Sequence, residues 1–298
     1  MAKRMLEATP AQLAAASGRD LYGLIAAAEG RTIMCEVVAE RRPAVPGVTN
    51  AELAAALGAD LILLNGYDTA APVVAGLPAG PSPPLLAVRQ LVGRAVGTNL
   101  EPVGEGHRDV AAGRRATAEA VAAALEQGAQ FILVTGNPGT GVTNAAVAAA
   151  VRLIRAQSAD VLVLAGKMHA AGVPAEAGPA LVTPAVVAEL LAAGADVVLL
   201  PAPGTVPGFT VERVAGLVDA AHAHGGLAAT AVGTCQEGSD EATVGQVALA
   251  AKMAGADLHH LGDCGWAGVA PPENIYRYGL AIRGRVHTYR RMAMSLYR

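Results

Sequence analysis

The sequence predicts an α/β chain folded as a (β/α)8 TIM barrel, and three observations predict it. Eight short apolar runs each end in Gly, Pro, Asn or Asp. Their starts, at Thr32, Leu61, Ala95, Phe131, Val161, Val197, Leu227 and Leu258, are 29, 34, 36, 30, 36, 30 and 31 residues apart. That interval is close to the ~30 residues taken by one strand, one helix and two turns. Finally, four of the intervening segments close on one phrase: LGAD at Leu57, QGAQ at Gln127, and AGAD at Ala193 and Ala254. Each phrase stands directly before an even-numbered strand, with a Gly able to end a helix in the left-handed conformation.

In chain order, TPAQLAAASGRDLYGLIAAAEG before the first strand predicts one or two extra helices covering the bottom of the barrel. Residues 1–30 are thus expected as a helical cap and 31–298 as the barrel, together one domain. The strands are TIMCEVV, LILLNGYD, AVGTNLEP, FILVTGNPG, VLVLAGKMH, VVLLPAPG, LAATAVGT and LHHLGDCG. They are almost continuously apolar, as strands buried on both faces are. Ala-rich stretches of helical period lie between them, among them Arg114 to Ala129 and Thr210 to Gly226. An open dinucleotide-binding sheet would need G-x-G-x-x-G after the first strand, and Ala39 to Gly47 reads AERRPAVPG.

Composition excludes several classes of function. With 53% hydrophobic and 16% charged residues, the chain is not intrinsically disordered. A net charge of -3 and the lack of a basic run leave nothing to hold a phosphate backbone, so no nucleic acid partner is expected. No window approaches the ~18 uninterrupted apolar residues of a membrane span, and the start has no secretory pattern. Three cysteines without a C-x-x-C pair suit a reducing compartment, and the cytoplasm is expected. The apolar helices make a homo-oligomer the expected state.

In this fold the C-terminal strand ends build the active site. Residues two apart on a strand point the same way, and the third, fourth and fifth strands end in Asn99 and Glu101, Thr135 and Asn137, and Lys167 and His169. Glu36 and Asn65 end the first two strands, with Asp68 just beyond. Capping of the barrel is the plain reading of some of these polar groups. For the charged ones function is the stronger, because an unpaired buried charge costs several kcal/mol. Lys167 stands out because the chain has 19 Arg and only 3 Lys. An amine can serve as a base or form a Schiff base where a guanidinium cannot; the structural alternative is an ion pair with Glu101 or Glu36. His169 is placed to move protons, or else is a hydrogen-bonded wall residue.

The loops GTCQEG and GDCGWAG, after strands seven and eight, bring Gly233, Thr234, Gly262 and Gly265 to the place where phosphate commonly sits in such barrels. Plain tight turns are the competing reading, and Glu237, Asp240 and Asp263 would repel an anion. Mg²⁺ is the one cofactor the carboxylates suit, through Glu36 and Glu101 with Asp68 or Asp263. No zinc spacing is present, and of the adjacent His259 and His260 at most one can reach a ligand.

The segments GNPGTGVTN, AGKMHAAGV, PAPGTVPG, GTCQEG and HHLGDCGWAG resemble those of a bacterial family of TIM-barrel proteins encoded beside sugar phosphotransferase genes. Its members carry phosphoenolpyruvate phosphonomutase-like or haloacid-dehalogenase-like titles. The resemblance runs over most of the chain and implies a barrel working in sugar metabolism, without assigning a catalytic role. The D-x-D nucleophile motif of haloacid dehalogenases is missing, and Asn99 and Glu101 match the phosphonomutase D-x-D only in part.

The expected function is a lyase or isomerase acting on a small phosphorylated sugar or keto acid. Lys167 would act at the carbonyl, Glu101, His169 or Glu36 would move the proton, and Asn65, Asn99, Thr135 and Asn137 would orient hydroxyls. The alternatives are a Mg²⁺-dependent enzyme of C–C or P–C bond chemistry and a non-catalytic sensor of a phosphorylated metabolite.

Overall fold

The computed structural model describes residues 3–104, 106–107 and 109–297. Eight parallel strands close on themselves in sequence order: β1 Thr32–Val38, β2 Leu61–Asn65, β3 Ala95–Leu100, β4 Phe131–Val134, β5 Leu162–Gly166, β6 Val197–Pro201, β7 Leu227–Val232 and β8 Leu258–Leu261. β1 pairs with β8, with Thr32 opposite Leu258. The chain is a (β/α)8 barrel.

Among the described residues ten α-helices accompany the strands. Two precede the barrel, α1 Pro10–Ala15 and α2 Gly18–Ala26. Around it run α3 Asn50–Ala56, α4 Pro84–Val92, α5 Ala118–Glu126, α6 Asn144–Gln157, α7 Pro184–Ala192, α8 Val211–Ala223, α9 Glu241–Met253 and α10 Pro272–Met292. Threonine caps six of them: Thr9, Thr49, Thr117, Thr143, Thr183 and Thr210 each accept a backbone N–H of the first turn of α1, α3, α5, α6, α7 and α8. The helix anticipated from Arg114 starts later, because Ala112–Arg114 forms a 3-10 turn that turns Arg114 toward β3.

The strand interiors have strict parity. Met34, Leu61, Leu63, Ala95, Phe131, Leu133, Leu162, Leu164, Val197, Leu199, Ala229 and Leu258 form one cluster inside the barrel. Met5, Leu13, Leu21 and Ile25 join it from below, so the N-terminal segment plugs the bottom. Gln130 fixes the plug by donating to the carbonyls of Leu13 and Ala16 at 2.8 and 2.7 Å. The alternate strand residues face the helices. Gly97 is required inside the barrel, since a Cβ there would lie 2.1 Å from the Phe131 carbonyl oxygen.

The repeated phrase has a second use besides helix termination. Its last residue turns back to accept the backbone N–H of the preceding odd strand. Asp60 takes Ile33 N, Gln130 takes Val96 N, Asp196 takes Val163 N and Asp257 takes Ala228 N, all at 2.8–3.1 Å. Each pair of βα units is thus stitched at the bottom by one side chain, a hydrogen bond of the kind that is costly to leave unmade in a buried place. Asp60, fully buried, also collects Arg283 Nη1 at 2.7 Å and Arg291 Nε at 2.7 Å, tying α10 to the barrel floor. Arg291 Nε lies off the line of a hydrogen bond, so that contact is Coulombic.

Candidate active site

The top of the barrel holds a cavity of about 210 Å³ at the C-terminal strand ends. Parity puts Glu36 of β1, Asn65 of β2, Asn99 and then Glu101 from β3, and Leu133 and then Thr135 from β4 on its wall. Gly136, Asn137, Met168, His169 and Arg114 complete it.

The polar groups form a chain of contacts around the rim. His260 Nε2 of β8 stands 2.9 Å from Glu36 Oε2, with His260 fully buried and Glu36 5% exposed. The approach is close but poorly aligned for a hydrogen bond, and neither ring nitrogen of His260 has another partner. Glu36 Oε1 accepts from Asn65, whose own Oδ1 accepts from Asn99 Nδ2 at 3.3 Å. Asn99 Oδ1 in turn accepts the Thr135 N–H at 3.3 Å. The Thr135 hydroxyl is buried without a partner. On the far side Arg114 Nη2 donates to Glu101 Oε1 at 2.7 Å. A buried polar atom left unpaired in such a wall marks a place for a ligand or water.

Two acids support this rim, Asp263 from the loop after β8 and Glu237 from the loop after β7. Burial pushes the Asp263 carboxyl up; the Glu36 charge and a hydrogen bond to Glu36 push it further, against donation from Gly265 N–H. Glu237, 2% exposed, is also pushed up by burial despite accepting Cys264 N–H at 2.9 Å, and its second oxygen has no partner. Cys235 and Cys264 hold positive φ of 70° and 51° beside these acids, a conformation that costs a non-Gly residue energy and clusters at functional loops.

Lys167 is elsewhere. Leu162 and Leu164 face inward, so parity gives the inner place to Met168, which packs on the interior cluster, and turns Lys167 away. Its fully buried amine pairs with Glu176, in the 3-10 turn Pro174–Glu176 after β5, and with neither Glu36 nor Glu101. Lys167 therefore does not line the cavity, although the chain turn after it returns His169 to the wall.

Two of the loop glycines give their N–H groups to the chain itself. Gly262 N–H donates to Val232 O and Gly265 N–H to Asp263 Oδ1 at 2.7 Å. The Thr234 hydroxyl is engaged by Gln236 and by the Thr205 carbonyl. A Cβ at Gly233 would meet Met168 Sδ at 2.4 Å, so that glycine makes room for the inner methionine.

Several carboxylates expected for Mg²⁺ already have protein partners. Both Glu36 oxygens are engaged by Asn65 and His260, and Glu101 is engaged by a guanidinium. Asp68 caps its own loop, accepting Ala70 N–H at 2.9 Å. Among the described residues no group of three or more His, Cys, Asp and Glu is arranged to hold a metal.

Sequence reasoning missed Arg114, which it placed in a helix, and His260, which it left undecided against His259. His259 turns out toward α10, with its ring nitrogens beside the Tyr278 hydroxyl and Gly30 O at 3.0 and 3.1 Å. The parity of β8 was the available signal, since Leu258 is an interior residue and His260 follows two later.

Fold and rim together define a (β/α)8 barrel with an acidic, asparagine-lined mouth. The chain belongs to the family described as Domain of unknown function (DUF7916), whose model matches residues 6–298. A solved thiamine phosphate pyrophosphorylase from Pyrococcus furiosus is similar at 11% identity and a TM-score of 0.48, covering 86% of this chain and 98% of that one. No curated protein matches the chain. None of these matches carries a link to sugar phosphotransferase genes or to the phosphonomutase and dehalogenase titles. Among the described residues no helix is long and apolar enough to cross a membrane.

Proposed function

We propose that the barrel mouth is the active site of an isomerase-type enzyme that moves a proton on a small hydroxy-carbonyl compound, with Glu36 as the group that moves it. The observation that carries this reading is the Glu36–His260 contact. A carboxylate on the cavity wall has one oxygen on Asn65 and the other 2.9 Å from a fully buried imidazole. In the forward step Glu36 takes the proton from the carbon beside the carbonyl, and the bonding pair moves to the carbonyl oxygen. The enolate oxygen takes the proton of the neighbouring hydroxyl, whose carbon becomes the new carbonyl, and Glu36 returns its proton to the former carbonyl carbon, which completes the isomerisation. His260 steadies the carboxylate, an arrangement worth ~10²–10⁴ in rate for general base catalysis.

Asn65, Asn99, Thr135 and Asn137 suit hydroxyl groups, and the unpartnered Thr135 Oγ1 is the plainest vacancy for one. Arg114 is the guanidinium on the wall, held by Glu101, and suits a carbonyl or carboxylate oxygen of the substrate. The acids at the rim, Glu36, Glu101, Asp263 and Glu237, disfavour a phosphate dianion at this point, and the backbone donors of Gly262 and Gly265 are already engaged. The reading therefore favours an uncharged sugar or a keto acid over a sugar phosphate. A lyase would use the same Glu36 on a hydroxyl proton, with the carbon–carbon bond breaking in place of reprotonation.

The test is a panel of small hydroxy-ketones, hydroxy-aldehydes and keto acids incubated with the protein in D2O and followed by proton NMR. Wild type should exchange or isomerise at least one member, and Glu36→Gln should slow that member at least a hundredfold. Tight binding without exchange would favour a sensor, and equal rates in Glu36→Gln would remove Glu36 from the chemistry.

A further inference from the structure

His169 shares the cavity wall with Glu36, and its surroundings restrict what it can do there. The backbone N–H of Ala171 points at Nδ1, 3.2 Å away. An amide N–H can only donate, so Nδ1 must offer a lone pair and the ring proton has to be on Nε2. Among the described residues Nε2 has no hydrogen-bond partner, on a side chain that lines the cavity. The local chain explains the geometry. The turn after β5 folds His169 over its own Ala171 amide while the buried Lys167 amine anchors the same segment to Glu176.

We propose that His169 acts as a neutral imidazole with its proton on Nε2, a hydrogen-bond donor for a substrate oxygen and not a proton-abstracting base. The assignment of a donor role rests on the Glu36 reading; the tautomer does not. Half-burial lowers the imidazole's affinity for a second proton, and the Lys167 charge lowers it further, in keeping with the neutral form. A donor aimed at the oxygen where charge builds as Glu36 removes the proton gains strength in the transition state, and one such donor is commonly worth ~10²–10³ in rate. This divides the labour across the mouth: the acid on β1 takes the proton, and the imidazole after β5 receives the negative charge on oxygen.

The decisive experiment is nitrogen NMR on protein labelled at histidine, with His169 assigned by difference against His169→Gln. At neutral pH the expected spectrum has Nδ1 in the unprotonated range and Nε2 in the N–H range, with or without substrate. A proton on Nδ1, or a cation at pH 7, overturns the proposal. The kinetic arm uses the exchange assay. His169→Gln, whose amide can still donate, should keep activity within about tenfold, whereas His169→Ala should lose ~10²-fold or more. Equal losses in both, with the predicted spectrum intact, would remove the donor role. If wild type exchanges nothing, the Glu36 reading fails while the spectrum still decides the tautomer.

Discussion

Replacing Asp60 by Asn tests the floor of the barrel, on which the geometry of the mouth depends. Asn keeps the shape and an oxygen for the Ile33 N–H, now 2.9 Å from Asp60 Oδ2, so the change isolates the charge. Left behind are Arg283 and Arg291, each 2.7 Å from that carboxylate, and the buried Arg94 nearby. Their remaining partners are backbone carbonyls such as Ala59 O and Ala8 O, which carry no full charge. Removing one partner of a buried ion pair costs ~3–5 kcal/mol. At an unfolding entropy of ~2.1 cal/mol/K per residue over 298 residues, that corresponds to a Tm lower by about 5–8 °C. Burial alone would raise the Asp60 carboxyl, but Arg283 and then Arg291 more than offset it, and its net shift is downward. A carboxyl with a depressed folded pKa contributes stability above its unfolded value near 4, lost as pH falls through the folded value. Calorimetry between pH 3 and 8 should therefore show the full deficit of Asp60→Asn at pH 6–8 and a smaller one toward pH 3. A deficit below about 1 kcal/mol, or one that grows in acid, would refute the reasoning.

Other perturbations have expected outcomes of their own. Gly97→Ala drives a Cβ into the Phe131 carbonyl and ring, at 2.1 and 2.5 Å, and should cost about 3 kcal/mol or prevent folding, read from urea midpoints. Glu237→Gln removes an acid whose folded pKa is raised by burial, so wild type loses stability relative to the variant as pH climbs past about 4.5. The variant should match wild type near pH 4 and exceed it at pH 8 by on the order of 1 kcal/mol, and a lower Tm at pH 8 would count against this. Borohydride treatment with candidate carbonyl compounds should leave no adduct on Lys167, and mass mapping of one at that position would restore Schiff-base chemistry. Lys167→Met should raise the His169 pKa, because the lysine charge is one of the two causes lowering it. An unchanged histidine titration in the NMR spectrum would show that the two do not interact.

The barrel was legible because its signals are local and repeated. The β-branched runs, the threonine caps and the Gly of the four closing phrases can each be read within a few residues, and every expected strand begins within one residue of its place. The role of the acids in those phrases was not legible, since Asp60 and Asp196 act on strands 27 and 33 residues earlier. At the mouth, parity served well for Asn99 and Glu101, where Gly97 and Thr98 break the apolar run. It failed for Lys167 because VLVLAGKMH is apolar on both faces up to the lysine, and nothing in it says which face turns inward. Arg114 was hidden for another reason: its segment has helical composition, and only pairing with Glu101 draws it into a 3-10 turn. The glycine loops could be placed, but whether their amides were free depended on Asp263 and Glu237 folding back over them.

The account is tested most directly by locating a bound substrate or inhibitor recovered from the exchange panel in a crystal structure. A carbon chain between Glu36 and His169, with one oxygen on His169 Nε2 and another on Thr135 or Asn99, is the predicted result. A ligand seated on Gly233, Gly262 and Gly265, or bonded to Lys167, would contradict it.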